Sequence, residues 1–417
     1  MPGDATDTGR GLSRRGFLLG GAAAGVGAAV ALGADRLVGA GAGLPDQRQA
    51  ELDAAGLNGA RTVTFHGDHQ SGIDTPIAAH ATYLGLRLLE RTDREALARM
   101  MRVLTDDAER LMSGEGALAD TEPELATVPA ALTVTFGFGP ELVRRAAGAA
   151  AVPAWLGPLP AFEIDALDPR WSGGDLLMVV SADDPVTVAH AVRMLLKDSR
   201  SFASLAWRQD GFRRAYGSEV SGTTMRNLFG QVDGTTNPEP GTAGFDAVVW
   251  CTGTGATAWV SGGTSLVLRR IRMNLDTWDE VDPTARSFAV GRRITDGAPL
   301  TGSREADAPD FEATTAAGNT VISPVAHIAR SRPVDSREVI FRRGYNYDVA
   351  PAGGGVSETG LLFASFQADV DAQFTPIQRR LDEADLLNEW TTPIGSAVFA
   401  IPPGCAPGGF IGETLLA

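Results

Sequence analysis

The sequence predicts an α+β fold built from a duplicated unit, with two antiparallel sheets and helices on one face. A strand-like run followed by an amphipathic helix occurs at residues 83–112 and recurs at 361–387, with similar spacing and little identity. Further strand-like runs flank both copies, as such an architecture requires. At roughly 150 residues per domain, 417 residues are more than one small domain needs and leave room for a large core.

Taken in order, residues 44–61 are a polar lead-in, and Thr62-Val63-Thr64-Phe65 runs into a polar loop at 66–72. ATYLGLRL at 81–88 reads as a strand. Over 92–112, Leu97, Met100, Met101, Val103, Leu104, Ala108 and Leu111 recur at helical spacing. LTVTFGF at 132–138 alternates as a strand does, whereas DLLMVV at 175–180 is the continuous apolar run of a buried strand. Asp184-Pro185 then opens a helix carrying Val186, Val188, Ala189, Val192 and Leu195, with the carboxylate as cap. Residues 265–273 and 360–366 read as strands, and 371–390 as one amphipathic helix through Phe374, Ile377, Leu381 and Leu386. The stretch 221–257 differs: rich in Gly and Thr and poor in periodicity, it is the kind of long internal loop that carries function.

The 36 basic residues against 51 acidic ones give a net charge of −15, which argues against nucleic acid as a partner. Lys197 is the only lysine, a bias of genome composition rather than a binding signature. Cys251 and Cys405 are far apart, with no CxxC and no CxxCH, which argues against a redox dithiol, a zinc ribbon and c-type haem attachment. One disulfide or two buried thiols remain open.

Ser13-Arg14-Arg15-Gly16-Phe17-Leu18 is a twin-arginine pattern, followed by 19 uncharged residues at 16–34 of which 13 are Gly or Ala. Such small side chains make a poor transmembrane helix but suffice for the apolar region of an export signal. Cleavage is expected within the small-residue run at 34–43, giving a signal at 1–42 and no membrane span after its removal. The destination is periplasmic, cell-surface or secreted. The twin-arginine route exports folded proteins, often with a cofactor already in place, which turns attention to cofactor ligands.

The polar cluster of the long loop is NLFGQVDGTTNP at 227–238. Asp233, with Gly230 before it and Gly234 after it, reads alone as an Asx-turn. It also reads as a carboxylate on a tight turn whose glycines let the backbone approach a bulky ligand. Histidine is scarce. His66-x2-His69 with Asp68 and Asp74 has a spacing that suits a hard metal site but is common by chance, and His190 sits mid-helix as a core or rim residue. His327 is a lone core histidine on its own, yet Arg330, Arg332, Arg342 and Arg343 follow within 16 residues. An imidazole with several guanidiniums is what an anionic, iron-bearing macrocycle requires.

GQVDGTTNP around Asp233, AHIARSRP around His327 and IFRRGYNY at 340–347 together resemble the dye-decolorizing peroxidase family, in its twin-arginine-exported, deferrochelatase-like branch. FHGDHQSGI at 65–73, LTVTFGFGPEL at 132–142, Gly291-Arg292-Arg293 with Gly297-Ala298-Pro299-Leu300, and LLFASFQADVDAQFTPIQRRL at 361–381 extend the resemblance, in the family's order, over nearly all of the mature chain.

The resemblance implies duplicated ferredoxin-like domains, at 43–220 and 221–417, with a haem pocket in the second. It implies one haem b per chain, its iron ligated by His327. Asp385 is the candidate acceptor of that imidazole's other N–H, with Asp382 in reserve; a solvated helix face is the plain alternative for both. Asp233 is implied as the distal acid–base residue and Arg342 as the stabiliser of developing charge, Arg342 being preferred over Arg343 as the first position of RRGY. Gly234, Thr235 and Thr236 would lie against the haem, Arg332 would meet a propionate, and Leu361 and Phe363 would line the distal side. HIARSRP departs from relatives that carry an Arg two residues after the His and a later Asn-Pro, which leaves the propionate contacts open.

The implied activity is oxidation of organic electron donors, such as dyes or phenolics, by hydrogen peroxide through a ferryl intermediate. Bulky dyes cannot reach a buried haem, so a surface Trp or Tyr is a reasonable oxidation site. Tyr345 and Tyr347 are the nearest candidates in sequence, against plain packing roles. The runner-up is a haem-handling protein that releases iron from haem, using His327 without needing Asp233. A third reading is a non-haem metal protein centred on His66 and His69. A homodimer is compatible with the sequence.

Overall fold

Strands β1 (His80–Leu88), β2 (Thr133–Phe138), β3 (Leu176–Ala182) and β4 (Ala203–Phe212) pair antiparallel in the order β2-β3-β1-β4. Strands β5 (Thr264–Met273), β7 (Tyr345–Val349), β8 (Glu358–Gln367) and β9 (Thr391–Ile401) pair antiparallel in the order β7-β8-β5-β9, with the two-residue β6 (Phe341–Arg342) also on β8. In both halves the first and third strands are central and the second and fourth flank them, the ferredoxin-like order. The fold is therefore the expected duplicated α+β unit, although the strand–helix runs at 83–112 and 361–387 hold different positions in their halves, first strand in one and third in the other. The computed structural model describes residues 56–351 and 353–417. The twin-arginine pattern and its expected cleavage region lie outside them.

The two halves meet edge to edge through single residue pairs, Phe138↔Ala400 and Phe212↔Asn346, so the strands form one sheet rather than two separate ones. Period-two alternation explains how the interior is divided. Tyr83, Leu177 and Trp207 from the first half share a buried cluster with Leu266, Leu268, Tyr345, Leu362 and Phe399 from the second. Their neighbours Leu84, Leu86 and Met178 face the other way, onto Leu97, Met101 and Leu104 of α1 (Arg94–Met112) and Leu195 of α2 (Pro185–Ser199). A strand covered on both faces reads as an unbroken apolar run, as 175–180 does. Gly85 makes room for Trp207: a Cβ there would stand 2.1 Å from the indole Cε2.

Local chemistry starts the helices. The Asp93 side chain accepts from Ala96 N–H at the head of α1, and that of Asp184 accepts from Thr187 N–H at the head of α2, just before Pro185. Two sequence expectations need correction. The loop at 221–257 contains a short helix, Ala243–Val249, capped by Thr242. The single helix expected over 371–390 is three pieces: a π turn at Val370–Phe374, α4 (Thr375–Ala384), and a 3-10 turn at Leu386–Glu389. The chain leaves helical geometry at Asp385 (φ −75°, ψ 125°), where the backbone turns to serve another segment. Apolar spacing continues across the break, so periodicity alone cannot reveal it.

Candidate functional site

His327 opens the short helix α3 (His327–Ser331), and its Nδ1 lies 2.6 Å from Asp385 Oδ2. The break after α4 makes this contact, because Leu386 N–H donates to the Val325 carbonyl at 3.0 Å and draws the two segments together. The other oxygen of Asp385 accepts from Leu387 N–H at 3.0 Å, so both carboxylate oxygens are engaged and the residue is buried. The solvated-face alternative therefore fails for Asp385. Asp382 turns elsewhere and accepts from Ile164 N–H at 3.0 Å. Burial by itself would lower the pKa of His327, but the charge and hydrogen bond of Asp385 outweigh it and leave it raised. With Nδ1–H committed to Asp385, Nε2 makes no hydrogen bond among the described residues.

The loop carrying Asp233 is braced by its own side chains. Asn227 Oδ1 accepts from the N–H groups of Phe229 and Gln231, and Asp233 N–H donates to the Met225 carbonyl at 2.8 Å. Gly234 sits at φ +133°, a conformation L side chains rarely adopt, which explains the glycine after Asp233. Asp233 Oδ1 accepts from Arg342 Nη1 at 2.6 Å. Arg342 and Arg343 are adjacent on extended backbone, so they point to opposite sides. Arg343 is buried and donates to the carbonyls of Ile73 and Thr75 at 3.0 and 2.6 Å, which separates the two arginines that the sequence could confuse.

Asn237, which carried no role in the sequence reading, clamps Arg342. Its Nδ2 donates to the Arg342 carbonyl at 2.7 Å and its Oδ1 accepts from Arg342 N–H at 3.0 Å. The side-chain amide thus pairs with that residue as a neighbouring strand would. The signal for it was its place in GTTNP. A cavity of about 200 Å³ lies against Asp233, Gly234 and Arg342, with Met225, Leu361 and Phe363 supplying apolar wall. Asp233 raises and Arg342 lowers the pKa of His327, each by less than Asp385 raises it.

Thr235, Thr236 and Arg332 do not line this cavity. Thr235 Oγ1 donates to Glu305 Oε1 at 2.9 Å, beside Thr224 on the same carboxylate, and Thr236 is exposed. Arg332 is exposed, with its guanidinium 4.4 Å from the centre of the Phe311 ring. Tyr345 and Tyr347 are 2% and 0% exposed, so they are packing residues and not surface oxidation sites. The histidines of the alternative metal reading are not brought together. His66 Nε2 pairs with Glu109 at 2.9 Å, while His69 Nδ1 bonds the Gly262 carbonyl at 2.6 Å and its ring stacks on Trp250. Among the described residues no group of three or more His, Cys, Asp or Glu could hold a metal ion. His190 is buried against Asp120, and Cys251 and Cys405 are buried free thiols.

The duplicated ferredoxin-like fold thus carries a carboxylate-bound histidine in its second half and an aspartate–arginine pair on the wall of a cavity. The family models described as Dyp-type peroxidase, N-terminal and C-terminal, match residues 70–213 and 224–406. The chain belongs to the Dyp-type peroxidase family. It is 36% identical over 428 residues to a dye-decolorizing peroxidase of Thermobifida fusca, with 98% of each chain covered. It is 30% identical over 368 residues to a deferrochelatase of Escherichia coli, covering 84% of this chain and 86% of that one. The crystal structure of a DyP-type peroxidase from Cellulomonas bogoriensis superposes with a TM-score of 0.83 at 53% identity, covering 86% of this chain and 99% of that one.

Proposed function

We propose that this chain is an exported haem b peroxidase that uses hydrogen peroxide to oxidise organic donors such as dyes or phenolics. The observation that carries the reading is the 2.6 Å pairing of Asp233 with Arg342 on the wall of a cavity whose charges also act on His327. The donor set fits haem. His327 offers an unbonded Nε2 while a carboxylate holds Nδ1–H, and Leu361, Phe363 and Met225 supply the apolar surface a macrocycle needs. When bound, haem supplies the iron at which peroxide is cleaved.

In this reading His327 would hold the iron, and Asp385 would make the imidazole a stronger electron donor. Asp233 would accept a proton from one peroxide oxygen and return it to the other. Arg342 stabilises the negative charge that develops on the departing oxygen. Arg332 would be the candidate partner of a haem propionate. We place the junction between the halves after residue 220. The twin-arginine pattern supports export of the folded, haem-loaded chain, and no described helix is long and apolar enough to cross a membrane.

The relatives named deferrochelatase favour a second reading, release of iron from haem, which uses His327 and has no need of Asp233. The test is an absorption spectrum of the haem-loaded mature chain before and after one equivalent of peroxide near pH 4 to 5. Rapid oxidation of the haem band, reversed by a dye, supports the peroxidase. A band that peroxide only bleaches favours haem handling.

A further inference from the structure

A second cavity, of about 370 Å³, shares Arg213, Asn237 and Arg342 with the first. One wall is the segment at 74–77, held in place by the Arg343 hydrogen bonds to Ile73 and Thr75. The facing wall is Pro238, Pro240 and Phe341. The lining therefore combines flat apolar surface with guanidinium groups.

The cations differ in how they are satisfied. Arg342 is paired with Asp233, and Arg343 is spent on backbone carbonyls. The Arg213 side chain makes no hydrogen bond and no ion pair among the described residues, and its Nε is sealed from solvent without a partner. Asp74 also lines the cavity but forms no ion pair with it. Burial pushes the Arg213 pKa below the usual arginine range, and the charges of Tyr345, Asp233 and Glu219 offset it only in part. Leaving a charged donor unmet costs free energy that an arriving anion would recover.

We propose that this cavity is a second ligand site that takes a small aromatic carboxylate, with the carboxylate on Arg213 and the ring against Pro238, Pro240 and Phe341. A volume of about 370 Å³ accommodates a single-ring ligand, within the usual size range of small-molecule pockets. Binding requires no turnover, so the inference goes beyond the peroxidase reading and can fail separately from it.

The experiment is calorimetric titration of the haem-loaded full chain with benzoate, alongside benzyl alcohol as the uncharged analogue. The expected result is saturable one-to-one binding that Arg213→Leu weakens by about tenfold or more, that Arg213→Lys largely restores, and that benzyl alcohol does not reproduce. Ile77→Trp, which fills the cavity without touching a charge, should also abolish it and covers the case in which Arg213→Leu misfolds. Absence of saturable binding, or Arg213→Leu binding within about twofold of the parent, overturns the proposal. So does loss of haem in Arg213→Leu when the parent shows no benzoate binding, which would assign Arg213 to a haem carboxylate. A chain that binds benzoate but fails to turn over peroxide would retain this site and lose the peroxidase reading.

Discussion

His327 and Asp385 are 58 residues apart in sequence, yet the imidazole Nδ1 and the carboxylate Oδ2 lie 2.6 Å from each other. The break in the helix after Ala384 produces this contact. A continuous helix would carry Asp385 past the histidine, whereas the extended backbone at Asp385 turns its carboxylate back and lets Leu386 pair with Val325.

Asp385→Asn keeps the shape and removes the charge. Outer-sphere partners of ligating histidines contribute about 10–100-fold in affinity or activity. Haem retention, measured by titration of the apoprotein, should fall by a factor in that range. Retention equal to the parent would mean that Asp385 serves only the local turn.

Asp233→Asn should lower peroxide turnover by about 10²–10⁴-fold with the haem band intact, since it removes the proton carrier and leaves the ligand in place. Arg342→Leu should lower it by about 10²–10³-fold for want of charge stabilisation. Stopped-flow mixing of the haem-loaded variants with peroxide reads both rates. Normal peroxide reactivity in Asp233→Asn would shift the function toward haem handling.

Asn237→Ala removes the two hydrogen bonds that hold the Arg342 backbone. Loss of satisfied, partly buried polar contacts costs about 1–3 kcal/mol. We expect a lower melting temperature together with slower peroxide reaction, and partial recovery of both in Asn237→Gln only if the longer side chain can still reach. A stability loss with unchanged peroxide kinetics would show that the clamp does not position the guanidinium.

Asp198 on α2 sits against Asp107 of α1, and burial first, then the hydrogen bond and charge of Asp107, raises its carboxyl to about 7. Between the ordinary carboxylate pKa and 7, the folded chain holds a proton that the unfolded chain has released. Stability therefore falls as pH rises through that interval and stays low above it. The group is partly exposed, so the penalty is on the order of 1–2 kcal/mol after screening. Asp198→Asn should raise the melting temperature at pH 8 and leave it nearly unchanged at pH 4. An equal shift at both values would exclude the shared proton.

Much of the framework was legible because it depends on short-range pattern. The apolar spacing from Leu97 to Leu111, the Asp184-Pro185 start and the apolar run at 176–180 each announce an element, although Val103 on α1 and Val186 and Ala189 on α2 face solvent. The site was legible in part. Asp233, His327 and Arg342 stand in recognisable motifs, and Asp385 was separated from Asp382 only by where each carboxylate points. Asn237 and Arg213 went unread because an amide that braces a backbone, or a cation that lacks a partner, is defined by what surrounds it. The tyrosines next to Arg342 failed as surface sites because β7 lies inside the packed junction of the two halves.

By itself the sequence marked β1, β2, β3, β5, β8, α1 and α2, because those depend on propensity and periodicity within a few turns of chain; β4, β7 and β9 went unread, and the site residues came from motifs that resemble a family. Only the tertiary structure decided which of two adjacent arginines faces Asp233, which of two nearby aspartates meets His327, and which arginine keeps a buried Nε without a hydrogen-bond partner. Those outcomes depend on side-chain direction after segments distant in sequence have packed, and no local pattern encodes that direction.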